Sequence, residues 1–327
     1  MRGPLRSLTL VFAGALCACG NLGTESFDPM SSSQKATQAF GVVTNNKAVQ
    51  AFDAMSGAFS WTGAPPFRPE SGPAGVAASP ADILPAQCPG KTFVYNPQTG
   101  KYTANTDAGA PSNGCRFLIY QVDPVQKSVI LPPQTVGYLD LTNESSPSPN
   151  SLGLKAVANN VTVLDYKANG TAVGSGLTYT AIGNVGDGTS RLDFDISLSY
   201  SNTSGLKTDY KLTAPTPAVG MEVVITAPGG AGGPSTVTFT VTEGQNKLEM
   251  VAKGDALSVD GTVKYNGTTL AKITGAGSAP TFTGQGGRTL SPTELDGLKT
   301  LFAFPDLMLA GFEDVFVPAF FVLGFKI

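Results

Sequence analysis

The sequence predicts a mainly β fold: a long antiparallel meander sheet, curled or partly closed, covered by N- and C-terminal helices (α+β). Three observations predict it. Over residues 91–282, apolar and polar positions alternate with a period of two, in short runs separated by turn residues. Both ends of the chain show helical spacing instead. Charged residues make up only 14% of the 327 positions, against a typical value of about 25%. Ser, Thr, Asn and Gly surfaces must therefore carry solubility.

Residues 1–6 contain two arginines, Arg2 and Arg6, and residues 7–16 form a short apolar run. A bilayer span needs about 20 apolar residues, so this run matches the h-region of a secretory signal. Then come Leu16, Cys17, Ala18, Cys19 and Gly20. This string resembles the lipobox of bacterial lipoproteins: an aliphatic residue, a variable one, a small one, then Cys. The resemblance covers only the first 20 or so positions. It implies cleavage after residue 18, acylation of Cys19, and anchoring to a membrane through the acyl chains. An ordinary signal peptide with chance cysteines is the alternative. One acyl chain holds a protein marginally, two or more hold it stably. Gly20 stands where a retention signal for the inner membrane would place Asp, so the resemblance implies the outer membrane of a cell envelope, facing the periplasm or the surface.

Residues 19–30 read as a tether. Residues 31–62 read as a helical segment, with Phe40 and Val43 on one stripe and Ala48, Phe52, Met55 and Phe59 on another. Gly41 or the pair Asn45–Asn46 divides it. Residues 63–90 hold seven prolines, which forbid a regular helix and discourage a central strand. That stretch is a linker or a functional loop.

Residues 91–290 form the β domain, with roughly eleven to thirteen strands joined by tight turns. Asn96 to Gly100 has turn chemistry. In the run Arg191 to Tyr200, Leu192, Phe194, Ile196 and Leu198 fall on one face and Asp193, Asp195 and Ser197 on the other. Val237, Phe239 and Val241 are expected opposite Leu248 and Met250. Asp260–Gly261 and Asn266–Gly267 are both read as hairpin turns. Residues 291–327 are a C-terminal apolar helical segment packing on the sheet. Ser291, Pro292 and Glu294 give a capping box with proline at the first helical position, and Pro305 is expected to end that helix. The last apolar stretch, from residue 315, reads equally as helix or strand.

Chemistry is constrained from the start. The chain has no histidine, which removes the commonest general base and the commonest metal ligand. Its formal net charge is −3, which offers no electrostatic footprint for nucleic acid. Cys88 and Cys115 form an isolated pair. In an oxidising compartment such a pair reads as a disulfide contributing roughly 3–4 kcal/mol, the alternative being two free buried thiols. Asp193 and Asp195 share a strand face, as an acid–base or cation pair would, but a solvated face explains them as well. The motif Ser32 to Lys35 lacks its companion motifs, and the glycine-rich run at 227–235 lacks the Lys and the helix of a phosphate cradle.

No catalytic residue, metal ligand or cofactor is therefore expected, and the chain is expected not to be an enzyme. A lipid-anchored envelope protein with a structural or interaction role fits best. Two alternatives stay open. Phe302, Phe304, Phe312, Phe316, Phe320 and Phe321 either fill the core or line a space for an acyl chain or similar hydrophobic small molecule. A surface adhesin or glycan-binding module is the other, although Trp61 is the only tryptophan.

Overall fold

The structure is a computed structural model, and it describes residues 28–55, 83–84, 88–105, 108–123, 125–145, 151–173, 176–228, 233–255 and 257–323. Two helices open it, α1 (Pro29–Thr44) and α2 (Lys47–Met55). Seventeen strands follow among the described residues: β1 (Lys91–Asn96), β2 (Lys101–Asn105), β3 (Gly114–Tyr120), β4 (Val122–Asp123), β5 (Ser128–Val129), β6 (Thr135–Asn143), β7 (Ser151–Ala158), β8 (Val161–Val173), β9 (Gly176–Gly186), β10 (Arg191–Ser201), β11 (Gly205–Pro215), β12 (Ala218–Ala227), β13 (Ser235–Glu243), β14 (Asn246–Gly254), β15 (Val259–Tyr265), β16 (Thr268–Ala276) and β17 (Ala279–Gly284). A long helix, α3 (Pro292–Leu323), closes the fold.

Fifteen strands make one open sheet, in the order β17 through β6 consecutively, then β3, β1 and β2. The expected meander is thus present, with more strands than the sequence suggests. The main sheet itself exceeds the eleven to thirteen expected, and two further short strands, β4 and β5, form a separate ribbon within the connection from β3 to β6. One pairing departs from the antiparallel expectation. β1 runs parallel to β3, with Lys91 opposite Cys115 and Phe93 opposite Phe117. The Phe93 and Phe117 rings stack at 4.9 Å, and the disulfide Cys88–Cys115 ties the start of β1 to β3 with Cα atoms 5.0 Å apart. Alternation along a strand reveals which face is buried but not which distant strand lies alongside.

Local chemistry sets the register elsewhere. Leu192, Phe194 and Ile196 of β10 are buried while Asp195 and Ser197 are exposed. Phe239 pairs with Met250, and Val241 with Leu248, across β13 and β14. Asn266 and Gly267 both take positive φ, 46° and 81°, as a two-residue hairpin turn of the mirror-image type requires. Asn159 and Asn160 do the same between β7 and β8. Asp260–Gly261 is not a turn. It lies inside β15, opposite Lys253 and Ala252. A Cβ at Gly261 would collide with the Val251 carbonyl, so this glycine serves close backbone approach. The turn before β15 is built by Asp255, whose Oδ1 accepts from the Leu257 and Ser258 N–H groups at 2.8 and 2.9 Å.

Helix α1 starts earlier than the tether reading allows. Asp28 caps it by accepting from the Met30 N–H at 3.0 Å, and Pro29 takes the first helical position. The chain breaks at Asn45–Asn46, as one of the two expected places. Asn46 Oδ1 accepts from Ala48 N and Val49 N, which starts α2. At the C-terminal end the capping box is present: Glu294 N donates to Ser291 Oγ, and Ser291 N donates to Glu294 Oε2.

Pro305 does not end α3. The helix runs through both Pro305 and Pro318 over 32 residues. An internal proline costs about 3 kcal/mol or more. Against that stands a stripe of Leu298, Leu301, Phe304, Met308, Phe312, Val315, Phe316, Ala319 and Val322, each at most 2% exposed. Each large apolar side chain so buried contributes roughly 1.5–3 kcal/mol, so the stripe outweighs the two prolines. Tyr166 of β8 also donates its hydroxyl to the Val315 carbonyl at 3.1 Å, beside Pro318.

One hydrophobic core joins helices and sheet. Gly297 of α3 lies against Pro29 and Met30, and Gly311 lies against Phe40. The two helices therefore run in the same direction, side by side. No described helix is long and apolar enough to cross a membrane.

Candidate functional site: an apolar cleft under the C-terminal helix

The six phenylalanines of the tail separate by position. Phe304, Phe312 and Phe316 are 1%, 0% and 2% exposed and fill the contact between α3 and the sheet. Phe312 meets Phe194 at 5.2 Å, Phe316 meets Tyr166 at 5.6 Å, and Phe304 stacks on Phe239 at 5.4 Å. Phe320 packs on Tyr179 at 4.8 Å. The Phe321 side chain lies outside what is described. Phe302 borders open space, beside Phe282.

That space is a cleft of about 600 Å³. Its floor is the apolar face of three strands, with Val237 and Phe239 from β13, Met250 and Ala252 from β14, and Val259 from β15. Its roof is one stretch of α3, with Leu301, Phe302, Pro305 and Asp306. The hollow exists because small residues meet there: Ala252 and Gly254 end β14, and Gly277 sits in the turn from β16 to β17. Leu257 stands at the rim, 85% exposed.

Two carboxyls border this cleft, Asp255 and Asp306. Asp255 is engaged by its own turn. Asp306 makes no hydrogen bond or ion pair with any described residue. The apolar walls disfavour its charged form and push its carboxyl above the ordinary range. Compared with known proteins, the chain matches no family model, no curated protein and no solved structure. The site must therefore be read from its own chemistry.

The other sequence candidates fall elsewhere. Asp193 Oδ1 accepts from the Arg191 guanidinium at 2.6 Å, and Asp195 lies across the strand pair from Lys211. The two carboxylates are thus matched by cations on a solvated face. Asp187 builds the turn at 187–190, where the N–H groups of Ser190 and Thr189 hold its carboxyl below the ordinary range. A polar hollow of about 380 Å³ lies beside it, between Asp165, Asn184 and Arg191. Among the described residues no group of three His, Cys, Asp or Glu side chains could hold a metal. Cys19 and Trp61 lie outside the described residues. Cys88 and Cys115 are bonded to each other and fully buried.

Sequence reading missed the strand half of the cleft and both aspartates. Asp306 carried a signal, being one of the few charges interrupting the apolar tail. Ala252, Gly254 and Gly277 carried none, because they converge only through strand pairing.

Proposed function

We propose that this protein is a lipid-anchored component of a bacterial cell envelope with a non-enzymatic structural or interaction role. The observation that carries this is the string Leu16 to Cys19 after a basic and apolar leader. The fold is compatible with it in one respect. Asp28, the first capping residue, stands nine positions after Cys19. Such a leash reaches about 30 Å when extended, so an acylated Cys19 would hold the folded body close to the bilayer. Growth with labelled palmitate tests the reading. Label in the wild-type chain and none in Cys19→Ser supports it, and an unlabelled, freely soluble wild-type product overturns it.

The cleft favours a second reading, in which the protein holds a hydrophobic small molecule between sheet and α3. Its volume lies in the range of small-molecule sites, about 300–1,000 Å³. The reading shifts the ligand contact from the Phe-rich tail as a whole to Phe302 and the faces of β13, β14 and β15. Native mass spectrometry tests it through the retention of apolar molecules by the purified protein.

A further inference from the structure

We propose that the cleft under α3 takes a single-chain amphiphile with a cationic amine head, its chain lying on Val237, Phe239, Met250 and Phe302 and its ammonium pairing with Asp306. This rests on the second reading above and assigns the head group.

The charge pattern decides the assignment. Among the described residues, the only charged side chains lining the cleft are Asp255 and Asp306, and neither Lys nor Arg lines it. Asp255 Oδ1 already accepts two backbone N–H groups. Asp306 has no such partner among the described residues. On its own helix, the positions three and four away are Phe302, Ala303, Leu309 and Ala310, none of them basic. Across the cleft, Lys253 alternates to the opposite face of β14 from Met250 and Ala252. Asp306 is solvent-exposed at the mouth of the cleft, where the apolar floor and the roof of α3 end. A bound ammonium would pair with it there through a charge-assisted hydrogen bond while the chain lies inside. A fatty-acid carboxylate would instead add like charge, which is unfavourable at short range. The apolar floor excludes a small hydrophilic amine as the preferred occupant, since each alkyl CH₂ buried on it adds to binding.

The test compares dodecylamine, dodecanol and dodecanoate, each below its micelle concentration, by isothermal titration calorimetry on the full purified protein near pH 7.5. Dodecylamine is expected to bind about tenfold more tightly than dodecanoate, equivalent to ~1.4 kcal/mol. In Asp306→Asn that preference falls to about twofold or less, while dodecanol binding is unchanged. Asp296→Asn, on the same helix but away from the cleft, leaves the preference intact. Ala252→Phe, which fills the floor, abolishes binding of all three, with circular dichroism melting confirming that each variant folds. Equal binding of amine and carboxylate overturns the head-group assignment, as does a preference that survives in Asp306→Asn. If none of the three binds, the apolar-ligand reading falls with it.

Discussion

The Asn46 side-chain amide donates to the Gly186 carbonyl at 3.0 Å while its oxygen accepts from Ala48 N at 2.9 Å. One buried side chain, 6% exposed, thus starts α2 and fixes it to the end of β9. Asn46→Ala removes a helix cap, worth about 0.5–2 kcal/mol. It also leaves the buried Gly186 carbonyl without this donor, worth about 1–3 kcal/mol more. Urea unfolding is expected to show a lower midpoint with little change in slope.

Helix α1 tolerates a methyl group at one glycine, and α3 does not at another. A Cβ at Gly41 meets only Asn45 Nδ2 at 3.5 Å, whereas one at Gly297 lies 2.5 Å from the backbone of Pro29 and Met30. Gly41→Ala is therefore expected to raise stability by about 0.4–1 kcal/mol. Gly297→Ala forces the parallel helices apart and is expected to cost about 1–3 kcal/mol, despite the better helix propensity of alanine. Paired thermal melts give the two signs.

The Asp306 carboxyl makes stability depend on pH in a definite direction. Its folded-state pKa is raised by desolvation. Below the unfolded value, near 3.9, the group is protonated in both states and imposes no penalty. As pH rises through the raised folded value, the native state must hold a charge beside apolar walls and loses stability. Asp306→Asn is expected to be more stable than the wild type at neutral pH, with the difference vanishing below about pH 4. Denaturation midpoints of both proteins across pH 3–8 measure this.

At the alkaline end the tyrosines govern. Burial pushes Tyr210 up to about 12, with Glu313 adding to the shift, and holds Tyr102, Tyr166 and Tyr179 well above the ordinary value. These groups contribute stability that is complete below pH ~10, where free tyrosine titrates, and is lost as pH rises further. Tyrosinate absorbance from these buried residues is expected to rise only above pH ~10 and together with loss of structure.

The β1–β2 hairpin is the sheet edge with the thinnest support. Only residues 91–93 pair with β3, and the Cys88–Cys115 bond anchors them. Cys88→Ser with Cys115→Ser is expected to cost roughly 3–4 kcal/mol. Amide exchange should accelerate first in residues 91–105, well before the central strands.

Much of this architecture was legible because it is local. Leu192 to Leu198 alternate over one strand, Asn266–Gly267 demands its own turn, and Ser291 with Glu294 closes its own cap. What was hidden depends on distant partners. The Pro305 position reads as a helix end until Met308, Phe312 and Phe316 are seen to find an apolar sheet. Gly261 reads as a turn until its neighbour Val251 is known. Phe93 beside Phe117 is a parallel contact that alternation does not encode. The cleft was least visible of all, since it arises from side chains that are small rather than from side chains that are present.

The position of α3 after every strand of the sheet has a kinetic consequence. Nearly every strand follows its neighbour in sequence, so hairpins from β6 onward can zip up one after another during synthesis. Their shared greasy surface, however, is fully covered only when the 32 residues of α3 emerge. Until then a growing polypeptide displays a broad sticky face, the kind of species that chaperones shield. The docking of α3 is thus the moment at which the whole molecule locks.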